Sequence, residues 1–146
     1  MIMQENDTVK LLRECDAGIK MAVSSIDEIL DNVRDKELKN VLITCKSEHS
    51  KLQTQVQVLL AGLHDEGKEP NPMAKGMSWI KTNAKLAFDD SDKTTADLMT
   101  DGCGMGIKSL NRYLNQYKAA DEVSKDITKQ LIALEEKLNK DLQKYL

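Results

Sequence analysis

Four stretches of the chain repeat apolar residues at alternating intervals of three and four, a spacing that admits only helices burying one face. The first carries Val9, Leu12, Ile19, Val23, Ile26, Leu30 and Val33, and the second Leu38, Leu42, Cys45, His49, Leu52, Val56, Leu59 and Leu63. The third carries Met99, Cys103, Ile107, Leu110, Leu114 and Tyr117, and the last Val123, Ile127, Leu131, Leu134, Leu138, Leu142 and Tyr145. The expected class is therefore all-α, with residues 1–146 forming one domain around one core. With one Trp, one Phe and three Tyr, that core has to be aliphatic.

The breaks between these stretches set their order in space. Asn6-Asp7-Thr8 supplies candidate caps for the first helix, and Asp35 caps the second after a very short turn, so the first two helices are antiparallel neighbours. Gly67, Pro70 and Pro72 end the second helix in the one clear linker. A shorter amphipathic helix is expected from Met73 to Phe88, with Met73, Met77, Ile80, Ala84 and Ala87 on one face. It returns the chain along the bundle, which makes the third long helix parallel to the second. Asp89-Asp90-Ser91-Asp92 caps that helix, and Lys118-Ala119-Ala120-Asp121 is a tight turn into the last.

The chain also repeats itself. Cys15, Gly18, Ile19 and Lys20 recur as Cys103, Gly106, Ile107 and Lys108, 88 residues on, and seam residues of the second helix fall on those of the last at a spacing of 86. Two hairpins built alike imply a pseudo-twofold axis. The glycines Gly102, Gly104 and Gly106 lie inside the third helix, each costing about 1 kcal/mol relative to alanine. Gly102 and Gly106 share a face, and close approach of another backbone is the expected compensation. A phosphate-binding loop is excluded, because no strand precedes the glycines and there is no room for a βαβ unit.

Two hairpins joined by a long crossover resemble the ferritin-like superfamily, in particular small bacterial ferritin-like proteins carrying Asp-x-Gly and Met-Gly-Ile segments, here Asp16-Ala17-Gly18 and Met105-Gly106-Ile107. The resemblance implies a ferritin-like four-helix bundle of two antiparallel hairpins, with the extra short helix in the crossover. Active members of that superfamily hold two metals with a Glu from each of two helices and a Glu-x-x-His from each of the others. Here the unit ending at His49 begins with Lys46, Glu136-Lys137-Leu138-Asn139 lacks its histidine, and the third helix has Gly104 where a carboxylate belongs. The resemblance therefore implies a degenerate di-metal site, no cofactor and no enzymatic activity.

Polar residues nevertheless interrupt the stripes at mid-bundle. Asp16 breaks the first and His49 the second, about one core layer apart. The repeat brings Cys103 to that level and the last turn brings Glu135. Asp16, His49, Cys103 and Glu135 are expected to form a central polar layer that fixes helix register. The alternative is a single transition metal held by Asp16, His49 and Cys103, giving a metal-binding or redox protein. Cys45, flanked by seam residues, reads as a buried inert thiol.

The remaining features bound the partners. With 21 basic and 24 acidic residues interleaved and a net charge of -3, no basic surface for nucleic acid is expected. No apolar run approaches the ~20 residues of a membrane span, the N-terminus lacks a leader pattern, and three widely spaced cysteines suit a reducing compartment. A cytoplasmic protein is expected. Trp79 and Leu86, seven apart beside the crossover stripe, are the candidate interaction face for a homo-oligomer or another protein.

Overall fold

The computed structural model describes residues 2–70, 89 and 91–146, with side chains from Asp7 onward. Four long helices account for most of them: α1 (Ile2–Ile29), α2 (Lys36–Gly62), α3 (Asp92–Gln116) and α4 (Glu122–Leu142). Two short 3-10 turns, Leu30–Asn32 and Gln143–Tyr145, follow α1 and α4. The crossover helix expected at 73–88, with Trp79 and Leu86, lies outside the described residues.

Polar side chains fix where three helices begin. Asp35 accepts from Leu38 N at 2.9 Å, Ser91 from Thr94 N at 3.2 Å and Asp121 from Ser124 N at 2.8 Å. Each satisfies an amide that the first turn leaves without a partner. The start of α1 differs from expectation, because the helix runs back to Ile2, ahead of the proposed caps. Asp7 and Thr8 instead serve the turn before α4: Ala119 N donates to Asp7 Oδ2 at 3.0 Å and Asp121 N to Thr8 Oγ1 at 2.9 Å.

The same bonds give the direction of every helix. The turn between α3 and α4 sits beside the early part of α1. The start of α3 sits at the other end, where Asp92 accepts from the amides of Arg34 and Asp35, each at 2.9 Å. Thus α2 and α3 run parallel. The hairpin α1–α2 and the hairpin α3–α4 are each packed along their length, α2 lies along α4, and α1 meets α3 sparingly.

Two apolar clusters fill the interior. One gathers Leu12, Ile19, Leu52, Val56, Leu110 and Leu131, and the other Ile26, Ile29, Leu38, Leu42, Leu138 and Leu142. Burial drifts from the expected stripe along α2, where Leu60 is buried and Leu63 exposed. A strict three-and-four alternation repeats every 3.5 residues, so a helix of 3.6 per turn rotates its apolar face by ~20° per heptad. On α4 the same offset buries Ser124 and leaves Val123 exposed.

Candidate functional site

Where the bundle should be driest, it holds an ion pair. His49, fully buried, places Nε2 3.0 Å from Glu135 Oε1. Its Nδ1 lies 2.8 Å from the carbonyl oxygen of Cys45, one turn back on α2. A carbonyl only accepts, so Nδ1 carries a hydrogen, and Nε2–H donates to the carboxylate. Burial alone would lower the pKa of His49. The hydrogen bonds and charges of Cys45 and Glu135 outweigh it and hold the ring up at about 10.

The ordinary value for His49 is 6.5, so the folded chain holds this proton more tightly than the unfolded one. The resulting stability is complete below pH 6.5 and is lost as pH rises through about 10. Urea midpoints of the native chain should fall between pH 7 and 10, and Glu135→Gln should flatten that fall.

Positions 49 and 135 are separated by 86 residues. That is also the offset between the caps Asp35 and Asp121. The bond therefore joins equivalent positions of the two hairpins. Cys103, also buried, stands beside Glu135, and burial together with that carboxylate pushes its thiol far up.

Asp16 takes another part than the central layer first gave it. Its Oδ2 accepts from the amide of Lys68 at 3.0 Å and pairs with Lys20 Nζ at 2.9 Å. It fastens the chain leaving α2 onto α1. Arg13 grips Asp65, Lys68 reaches Glu14 and Lys20 reaches Glu69 in the same strap. The strap needs Gly67, whose φ is +92° and whose place would set any Cβ against Asp16 Oδ2. His64, in left-handed conformation at φ 58°, ends α2 and is exposed.

This placement bears on the metal alternative. Asp16 Oδ2 is engaged by the Lys68 amide and Lys20 Nζ, and both nitrogens of His49 are engaged within the bundle. Among the described residues no three His, Cys, Asp or Glu side chains are arranged to hold a metal ion. The trio Asp16, His49 and Cys103 is thus not assembled as a ligand set.

The ion pair forms the floor of a cleft. Between α1 and α3 a cavity of about 370 Å³ runs from Glu14, Lys68 and Tyr113 at one end to Ile29 and Leu98 at the other. Sixteen residues of each wall, 14–29 and 98–113, give it a length of about 22 Å. Its walls carry small residues at matched intervals, Gly18, Ala22 and Ser25 on α1 and Gly102, Gly106 and Ser109 on α3. No described atom lies within 4 Å of where a Cβ would stand on Gly18 or Gly102. The close backbone expected to compensate the α3 glycines is not among the described residues. From Gly106 that position is 3.6 Å from the Glu135 carboxyl carbon.

Sequence reasoning marked His49, Glu135 and Cys103 but passed over the small residues of α1, whose spacing of four and three matches the α3 set. Compared with known proteins, the chain matches no family model, no curated protein and no solved structure. No helix among the described residues is long and apolar enough to cross a membrane.

Proposed function

We propose that this chain is a non-enzymatic, ferritin-like helical bundle that acts by association, receiving an amphipathic helix of a protein partner in the cleft between α1 and α3. The observation that carries the reading is the pair of small-residue walls that no described residue fills. Gly-x-x-x-Ala-x-x-Ser on α1 faces Gly-x-x-x-Gly-x-x-Ser on α3, and such stripes bring helix backbones close. Among the described residues nothing offsets the cost of about 1 kcal/mol per helical glycine. A helix of about 15 residues matches its length. The departures of Lys46, Gly104 and Asn139 from a di-metal ligand set support loss of the chemistry that such bundles perform.

A photoreactive side chain at Met105, 71% exposed on the cleft rim, tests this in the intact chain inside the cells that make it. The expected product is an intermolecular adduct mapping to an amphipathic helix, lost when Gly102→Leu fills the cleft. Adducts confined to the chain itself, or none, overturn the reading. In the purified protein Gly18→Ala and Gly102→Ala should each raise stability by about 1 kcal/mol. If both lower it, the cleft is filled from within the chain and is not a partner site.

A further inference from the structure

The three cysteines are all buried, yet they face different chemistry. Cys15 Sγ has a neutral neighbour, the Thr128 hydroxyl at 3.2 Å, and its burial pushes the thiol up to about 11. Cys103 stands beside the Glu135 carboxylate, an anion that opposes a second negative charge. Cys45 alone faces a ring held in its cationic form: its Sγ lies 3.4 Å from His49 Nδ1, and His49 Nε2 lies 3.0 Å from Glu135 Oε1. Nε2–H is given to Glu135, while Nδ1–H lies between the Cys45 carbonyl oxygen at 2.8 Å and the Cys45 sulfur, so the sulfur sits at the edge of the cation. A cation held against a sulfur favours attack by that sulfur over its two neighbours that lack one.

We infer that Cys45 is the reactive thiol of this chain, a site for two-electron oxidation by a hydroperoxide, with His49 as the stabilising cation and Glu135 as its positioning residue. The sulfur attacks the nearer peroxide oxygen. An S–O bond forms, the O–O bond breaks, and the thiol proton ends on the departing oxygen as water or an alcohol. Cys45 is oxidised to the sulfenic acid and the peroxide is reduced. An oxidant this small needs no pocket. Cys45 retains 8% of its surface, whereas Cys15 and Cys103 retain 0% and 1%. The inference does not depend on what fills the cleft.

The test exposes the intact, reduced protein to limiting hydrogen peroxide with a 1,3-diketone trap, and quantifies adducts at each cysteine by mass spectrometry. Cys45 should lead Cys15 and Cys103 by about ten-fold, in line with its cationic neighbour. Glu135→Gln, close in shape but unable to hold the ring charged, should shrink that lead several-fold, and Glu135→Asp should shrink it less. If all three cysteines react at one rate, access comes only through global unfolding and the inference fails. It fails equally if Cys15 or Cys103 leads, an outcome readable in the native chain alone should either variant not fold.

Discussion

Replacing Glu135 with alanine should cost about 3–5 kcal/mol of folding stability, the usual loss when one partner of a buried charge pair is removed. The reason lies in what remains. His49 is fully buried, and without the carboxylate its Nε2–H loses its acceptor in an apolar interior. Against a typical total of about 5–15 kcal/mol, this is a large fraction. Urea denaturation of Glu135→Ala and of the double variant His49→Leu, Glu135→Leu separates two accounts. If the pair matters chiefly because each half would be costly alone, the double variant should recover most of the loss. Equal destabilisation of single and double variants would show instead that volume at these positions sets the cost.

Leu12→Ala is expected to cost about 2–5 kcal/mol, the range for a buried leucine whose surroundings cannot collapse. Leu12 is 1% exposed, packs in the cluster with Leu52, Val56 and Leu131, and does not border the cleft. Leu98 does border it, and Leu98→Ala should fall at the low end because the space it leaves joins one already present. Denaturation midpoints at equal slope decide the comparison. A Leu98 loss equal to that at Leu12 would mean that something occupies the cleft.

How far the sequence reveals this structure depends on whether a feature is periodic. The helices, the caps Asp35 and Asp121, and the parallel run of α2 and α3 follow from stripe spacing and turn chemistry. His49 and Glu135 are legible as polar residues at equal depth, since helical rise converts residue number into height. Asp16 is not legible, because its partner is the amide of Lys68, placed by left-handed conformations at His64 and Gly67 that no periodicity announces. Asp7 and Thr8 misled for a related reason. A side chain able to cap its own helix can equally bond a neighbouring turn, and the choice depends on the tertiary arrangement. The cleft eluded the sequence because it exists only through the relative placement of α1 and α3.

The bond between His49 and Glu135 also limits how such a bundle can be assembled. Equivalent positions of two like halves meet only on the axis that relates them. If the first hairpin paired with a copy of itself, two histidines would confront each other there, both protonated or one lacking a donor. If the second did so, two carboxylates would meet in an apolar interior. Acid against base on the axis requires unlike halves, which one continuous chain supplies at fixed stoichiometry. The ion pair thereby works as a key between the hairpins: it favours the pairing encoded in the single chain and penalises either hairpin's pairing with itself.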